Sequence, residues 1–169
     1  MVKRGLSVAT IAAQAGGYID AASGGVVPPI QPSTTFARDR NYALHASGNI
    51  YSRDDNDVGR VAEGLLEQLD NAQAALLFPN GMAAIAAVFR ALPTEACVLV
   101  QSQIYWGTTK WLREFCTRRG LVLVEAQLSD PAQMEQLCVA HKPDLVFIET
   151  PSNPWLRSTD IAHAAGCVH

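Results

Sequence analysis

Apolar residues along most of the chain alternate between helical spacing and short continuous runs. Val61, Leu65 and Leu69 recur at three- to four-residue intervals, which predicts a helix over 60–71. Continuous apolar runs of four or five residues are typical of buried strands. The same reading predicts strands at 74–78, 97–100, 121–125 and 145–148, and helices at 81–92, 108–119, 131–140 and 159–165. This order indicates an α/β fold with a parallel-rich sheet flanked by helices.

The first third of the chain has a different composition. Residues 1–57 are rich in Gly, Pro, Ser and Thr, and they include the adjacent pair Pro28 and Pro29, which favours extended backbone. We therefore expect an N-terminal arm over 1–57 that lies on another surface, and a domain over 58–169. Helix boundaries within that domain are marked by Gly120, a helix-ending residue, and by Pro131 at a first helical turn.

Composition excludes several classes of function. Of the 169 residues, 49% are apolar and 17% charged, and the net charge is −3, so a nucleic-acid partner has no electrostatic basis. Pro79 and Gly81 interrupt the most apolar stretch, so we expect no membrane span, and no signal peptide is expected at the start. The four cysteines lack paired spacing, which indicates reduced thiols and a cytoplasmic location.

In parallel sheets, ligands bind in the loops after the carboxyl ends of strands. Asn80, Gly81 and Met82 occupy one such loop before a predicted helix, where free backbone N–H groups and the helix dipole favour an anion. A plain Asn-Gly turn is the alternative. Neither a G-x-G-x-x-G nor a G-x-x-x-x-G-K motif is present, so a phosphate bound here would belong to another kind of cofactor.

Three further residues have side chains suited to binding. Tyr105 follows a strand and could stack on a planar ring, or be a rim aromatic. Arg53 could bind a phosphate through its planar guanidinium, or be an ordinary solvated arginine. Asn153 lies between two prolines, where its amide could be held towards one atom, or form a structural turn. The four histidines show no ligand spacing, so no metal is expected.

Together these segments resemble the trans-sulfuration family of pyridoxal-phosphate enzymes, which includes cystathionine gamma-synthase, the cystathionine lyases and methionine gamma-lyase. The resemblance runs from about Thr10 to the end of the sequence. It is carried by the order and spacing of GVVPPI at 25–30, STTF at 33–36, YSR at 51–53, LEQL at 66–69, GMAA at 81–84, Tyr105 and ETPSNP at 149–154.

The resemblance implies a fold and a set of roles. The fold would be that of fold type I, the aspartate-aminotransferase-like pyridoxal-phosphate enzymes. Gly81 and Met82 correspond to backbone donors to the cofactor phosphate, Tyr105 to the tyrosine stacked on the pyridine ring, and Asn153 to the amide near its phenolic oxygen. The pair Tyr51 and Arg53 corresponds to residues that reach the phosphate of a neighbouring subunit, which implies a homodimer or homotetramer.

The sequence departs from the family pattern in four places. It has Asn56-Asp57-Val58 where Asn-Pro-Thr is usual, and Asn80 where serine is usual. Gly107 stands where methionine gamma-lyases usually carry cysteine. The lysine that forms the Schiff base, in a Ser-x-Thr-Lys segment, is absent. The three lysines are Lys3, Lys110 and Lys142, and Lys110 is expected on the surface.

These features lead to two hypotheses. The first is a partial trans-sulfuration enzyme, a carbon–sulfur lyase or gamma-replacement synthase acting on cystathionine, cysteine or homoserine derivatives. It would be truncated and inactive alone. The second is a non-catalytic interaction module that pairs with a full-length homologue through its arm.

Overall fold

The computed structural model describes residues 6–45 and 48–168. The chain divides between Phe78 and Pro79 into two compact units, called here the N-terminal and the C-terminal unit. The N-terminal unit contains helix α1 (Val8–Ala13), a 3-10 turn (Ala15–Gly17) and helix α2 (Asp57–Asp70). Between the two, the described backbone is irregular, with isolated bridges such as Thr35 to Tyr51.

The C-terminal unit alternates helices and strands, which confirms the predicted α/β class. Its elements are α3 (Gly81–Ala91), β1 (Cys97–Gln101), α4 (Trp106–Arg119), β2 (Val122–Ala126), α5 (Pro131–His141), β3 (Leu145–Phe147) and α6 (Ile161–Gly166). The strands form a parallel sheet in the order β2-β1-β3. Val98 pairs with both Leu123 and Leu145, so β1 is central and its carboxyl end lies beside that of β3.

Local side-chain chemistry sets the helix boundaries. The Asn56 side chain accepts a hydrogen bond from the Gly59 N–H at 2.8 Å and starts α2 earlier than the predicted residue 60. Asp130 caps α5, with Pro131 at its first turn. Gly120 ends α4 in the left-handed conformation with φ 69°. The signals read from the sequence at Gly120 and Pro131 are confirmed.

The strand predicted over 74–78 is wrong. This segment is irregular in the structure, and two alternate backbone N–H groups bond to side chains of α2 instead of to another strand. Ala75 donates to Glu67 at 3.3 Å, and Leu77 donates to Glu63 at 2.9 Å. Because the two glutamates lie one helical turn apart, they match the two-residue repeat of an extended chain. The continuous apolar run therefore does not pair with another strand, and its backbone N–H groups bond to glutamate side chains instead.

The sheet of the C-terminal unit carries an apolar cluster on each face. One cluster surrounds Phe89 and Val98 and continues into α4 through Leu112 and Cys116. The other surrounds Leu99 and Met134 and includes Ala164 of α6. Val98 and Leu99 are adjacent in β1 and point to opposite faces, as the pleat requires. Burial on both faces explains why the strands read as continuous apolar runs.

None of the helices in the described part of the chain combines the length and the hydropathy that a membrane span needs. The final helix is short, six residues from Ile161 to Gly166, and it starts two residues later than the predicted 159. The Asp160 side chain caps it by accepting from the His163 N–H at 3.0 Å. Thr159 stays outside the helix because its hydroxyl donates to Gln101 at the end of β1.

Candidate functional site

The loop before α3 presents an open helix N-terminus. The Asn80 side chain turns inward and accepts from the Ala83 N–H at 2.8 Å, which leaves Gly81 and Met82 as the first two donors of the helix. Gly81 is exposed, and a Cβ built on it would meet no atom within 4 Å. The helix N-terminus is therefore open at Gly81, and the helix dipole favours an anion there.

Tyr105 lies between the carboxyl end of β1 and the start of α4. Its side chain is exposed on one side, at 39%. A Cβ built on Gly107 would lie 2.5 Å from the Tyr105 ring, far inside van der Waals contact. The ring therefore occupies the space that any other residue at position 107 would fill. The glycine that departs from the methionine gamma-lyase pattern is what lets the ring lie over this helix turn.

Glu149 connects two of the residues singled out in the sequence. Its carboxylate accepts from the Tyr105 N–H at 3.2 and 3.3 Å and from the Asn153 N–H at 2.6 Å. Charge-assisted bonds of this kind are stronger than neutral ones. One carboxylate thus holds the loop after β1 and the loop after β3 together, and it brings Tyr105 and Asn153 to the same edge of the sheet.

A buried polar residue fixes the backbone of Glu149. Gln101, the last residue of β1, accepts from the Glu149 backbone N–H at 3.2 Å and from the Thr159 hydroxyl at 3.2 Å. Sequence reasoning missed both Gln101 and Thr159 and left the role of Glu149 undecided. A signal was present, because Gln101 is the single polar residue at the end of an otherwise apolar strand.

Thr108 brings the α3 loop into the same region. Its hydroxyl lies 3.5 Å from the Met82 sulfur, and its backbone N–H donates to the Tyr105 carbonyl at 3.0 Å. Thr108 is buried. Met82, Tyr105 and Asn153 are therefore linked within one unit through Thr108 and Glu149, at the carboxyl edge of the sheet.

Tyr51 and Arg53 lie in the N-terminal unit and are described by themselves. Tyr51 forms an isolated antiparallel bridge with Thr35, and the Ser52 N–H donates to the Thr34 carbonyl at 3.0 Å. The Arg53 guanidinium carbon lies 5.0 Å from the centre of the Tyr51 ring, within cation–π range. Arg53 is exposed, so this pair presents a cation and an aromatic ring on one surface.

Lys110, Cys97 and Cys116 lie outside this linked set of residues. Lys110 is exposed on α4, as predicted. Burial raises the pKa of the Cys116 thiol, and burial together with Asp144 raises that of Cys97. A raised thiol pKa reduces the thiolate population at neutral pH, so these two cysteines are structural.

Comparisons with known proteins identify the relatives of the chain. The sequence model of a family described as Cys/Met metabolism PLP-dependent enzyme matches residues 9–169. Cystathionine gamma-lyase of Bos taurus is 35% identical over 144 residues, which is 85% of this chain and 35% of that protein. Cystathionine gamma-lyase of Bacillus subtilis is 31% identical over 84% of this chain and 37% of its own length. The chain thus spans about a third of the length of these relatives.

Solved structures give the same picture of the fold. Cystathionine gamma synthase of Xanthomonas oryzae pv. oryzae, solved in complex with cystathionine, superposes with a TM-score of 0.82 at 31% identity, over 96% of this chain and 43% of that one. The cystathione gamma lyase of Micromonospora echinospora has a TM-score of 0.81 at 32% identity, over 98% and 43%.

Proposed function

Since the chain belongs to the Cys/Met metabolism family of pyridoxal-phosphate-dependent enzymes, we propose that it forms the part of a trans-sulfuration enzyme that grips the cofactor. The enzyme class is a carbon–sulfur lyase or a gamma-replacement synthase. Its substrates are cystathionine, cysteine or homoserine derivatives. The observation that carries this proposal is the link from Met82 through Thr108 to Tyr105, and through Glu149 to Asn153.

The residues present fit the cofactor. The amides of Gly81 and Met82 would hold its phosphate, because both are first-turn donors and the side of Gly81 is open. The Tyr105 ring would lie against the pyridine ring, and the Asn153 amide would reach its phenolic oxygen. Bound pyridoxal phosphate supplies an electron sink for the carbon next to the substrate amino group.

Glu149 acts in this proposal as a positioning residue. Its carboxylate fixes the backbone of Tyr105 and Asn153, and Gln101 fixes the backbone of Glu149 in turn. A site whose residues are already held by hydrogen bonds keeps its geometry before the ligand arrives. The chain's own contribution is therefore binding and orientation of the cofactor.

In the family pattern, proton transfer belongs to the lysine of a Ser-x-Thr-Lys segment. The lysines are Lys3, Lys110 and Lys142, and none lies in a Ser-x-Thr-Lys segment. We propose that the chain alone binds the cofactor without catalysing a reaction. Added pyridoxal phosphate should give no site-specific visible band of a lysine-bound cofactor, and cystathionine should remain uncleaved. Lys110→Arg serves as the control for labelling of that exposed lysine.

The phosphate contact can be tested at a single backbone amide. Gly81→Pro removes one N–H donor, and proline suits the first position of a helix after the extended Asn80. A lost hydrogen bond to a charged group corresponds to about 1.5–3 kcal/mol, so binding should weaken about 10- to 150-fold. Gly81→Ala retains the N–H, and its Cβ enters open space. Tryptophan fluorescence during titration with pyridoxal phosphate measures both variants.

Two results would contradict the proposal. One is equal affinity of Gly81→Pro and Gly81→Ala for pyridoxal phosphate. The other is equal affinity of the unchanged chain for pyridoxal phosphate and for pyridoxal, which lacks the phosphate.

One observation favours a second function, pairing with a full-length homologue. Val26, Val27 and Ile30 are all largely exposed in the N-terminal unit, and apolar surface of this kind marks interaction sites. Tyr51 and Arg53 would then complete the phosphate site of the partner. Co-purification with a full-length homologue, lost in the variant Ile30→Asp, would support pairing. A monomeric mixture in light scattering would exclude it. The four free cysteines support a cytoplasmic location for this assembly.

A further inference from the structure

Helices α5 and α6 bring together three side chains of the types that bind metal ions. Glu135 lies on α5, and His163 and Cys167 lie on and just after α6. Their ligand atoms all lie within 4.8 Å of one another, and the His163 Nε2 is 3.5 Å from the Glu135 carboxylate. The spacing from His163 to Cys167 is four residues, so both point to the same face of one turn.

The cluster is open to solvent on one side. It lines a depression of about 460 Å³ together with Val139 and Gly166. Glu135 is 61% exposed and His163 is 27% exposed. A metal ion could therefore enter without rearrangement of the core, and a water molecule could occupy a remaining coordination position.

The distances suit a first-row metal. Ligands at the usual zinc–nitrogen, zinc–oxygen and zinc–sulfur lengths in a tetrahedron lie about 3.3–3.7 Å apart. The observed separations reach this range with side-chain shifts of about 1 Å. The His163 Nε2 also lies 3.3 Å from the Pro131 carbonyl. When Nε2 donates to this carbonyl, Nδ1 is the ring nitrogen whose lone pair is free to bind the ion, an arrangement common among metal-binding histidines.

We propose that Glu135, His163 and Cys167 form a zinc site with an open fourth position. The mixed oxygen, nitrogen and sulfur set favours zinc over magnesium or calcium, which prefer oxygen alone. A thiolate, a carboxylate and a neutral imidazole carry two negative charges, which balance the ion. Bound zinc joins the short α6 to α5 and stabilises the end of the C-terminal unit.

Cys138 is the alternative partner of Cys167. Cys167 is near enough to contribute to the raised pKa of the Cys138 thiol, so an oxidant such as molecular oxygen could join the two thiols by removing two electrons and two protons. Cys138 is buried and does not line the depression, so it is outside the proposed ligand set. Cys138→Ala removes the competing disulfide and should retain zinc binding.

The test uses the full chain, purified under reducing conditions and freed of metal by chelation. Cobalt(II) replaces zinc as a visible probe. We expect the d–d absorption of a tetrahedral site and a thiolate-to-cobalt charge-transfer band, and we expect added zinc to abolish both. Cys167→Ser should lose the charge-transfer band and weaken binding by more than the roughly 10- to 100-fold that loss of an outer-shell partner costs.

Matched controls separate the cluster from other thiols and imidazoles. Cys97→Ser and His141→Gln alter residues outside the cluster and should bind cobalt as the unchanged chain does. Glu135→Gln changes an exposed side chain, so it should fold normally and still bind more weakly. Unchanged cobalt affinity in both Cys167→Ser and Glu135→Gln would overturn the proposal, as would loss of binding in Cys138→Ala with a normal circular dichroism spectrum. None of these readouts depends on pyridoxal phosphate.

Discussion

The two units of the chain are stabilised in different ways. Only Ile11 and Asn49 are buried among the described residues of the N-terminal unit. All fourteen residues of α2 are described, and none of them is buried. The C-terminal unit has a parallel sheet with an apolar cluster on each face. Burial of apolar surface is the main favourable term in folding, so the second unit holds most of the driving force.

Polar contacts take the place of a core in the first unit. Asn49 donates to Asp57 at 3.0 Å and accepts from Arg60 at 2.5 Å. Arg60 also pairs with the carboxylates of Asp55 and Asp57. This cluster attaches the irregular segment before α2 to its first turn. The contrast shows that apolar burial is concentrated in the C-terminal unit, whereas apolar side chains such as Val26 and Ile30 remain exposed in the N-terminal unit.

The largest expected effect is on the free energy of unfolding when one apolar side chain is truncated in each unit. Phe89 is 0% exposed and contacts the rings of Trp111 and Phe147. Phe89→Ala should lower the free energy of unfolding by about 3–5 kcal/mol. Leu76 is 74% exposed, and Leu76→Ala should change it by less than about 0.5 kcal/mol. Urea denaturation followed by tryptophan fluorescence reports on the C-terminal unit, which contains all three tryptophans.

A similar loss in both variants would break the comparison, because it would mean that Leu76 is part of a core. Leu123→Ala is a second test in the C-terminal unit. Leu123 is partly buried against the Phe89 cluster, so its loss should fall between the two.

The second prediction exchanges charges for apolar groups of similar length. Arg60→Met removes contacts with two carboxylates and a buried amide, and it should weaken local protection of the segment 49–57 by about 1–2 kcal/mol. Arg113→Met removes one pair with Glu125 on a 64% exposed side chain, and it should cost about 0.5 kcal/mol or less. Amide hydrogen exchange measures each region separately. Equal effects would show that the Arg60 cluster adds nothing beyond an ordinary surface pair.

A third prediction concerns Glu149, whose charged carboxylate holds two loops of the C-terminal unit through hydrogen bonds. Glu149→Gln leaves an oxygen acceptor but removes the charge, so protection of the Tyr105 and Asn153 amides should fall by about 0.5–1 kcal/mol. Glu135→Gln, on the surface of α5, is the matched control and should leave these two amides unchanged. If the two amides exchange as before, the carboxylate does not hold the loops together.

Features that depend on residues close together in the chain could be predicted from the sequence, and features that depend on distant residues could not. Gly120, Pro131 and Asp130 act within one helical turn, so the C-terminal end of α4 and the start of α5 could be predicted. The segment 74–78 could not, because a strand is defined by a partner that the local pattern does not name.

The candidate site divides along the same line. Gly81 was recognisable because a glycine at a helix start has a local meaning. The role of Glu149 depends on two backbone amides, one 44 residues before it and one four residues after it. The proposed zinc ligands of α5 and α6 were not singled out because the histidines were compared with one another and not with Cys167, and because Glu135 lies 28 residues before His163 in the sequence. Contacts across helices become visible only once the layers are packed.

The smallest expected effect on stability compares one glycine in a helix of each unit. Gly64 lies within α2 with open space around it, so Gly64→Ala should stabilise the N-terminal unit by about 0.5–1 kcal/mol through helix propensity. Gly107→Ala gains the same propensity in α4, but its Cβ would meet the Tyr105 ring at 2.5 Å. The ring is the outer part of a partly exposed side chain, so it should swing away rather than unfold the helix, and the net change should stay within about 0.5 kcal/mol.

The consequence of Gly107→Ala should appear in ligand binding instead, because a displaced Tyr105 ring cannot stack. Contacts between residue 107 and the Tyr105 ring in nuclear Overhauser spectra, compared with pyridoxal phosphate affinity, test this directly. An unmoved ring with unchanged affinity would mean that Gly107 serves the backbone alone, and that the space beside Tyr105 is not specified by this glycine.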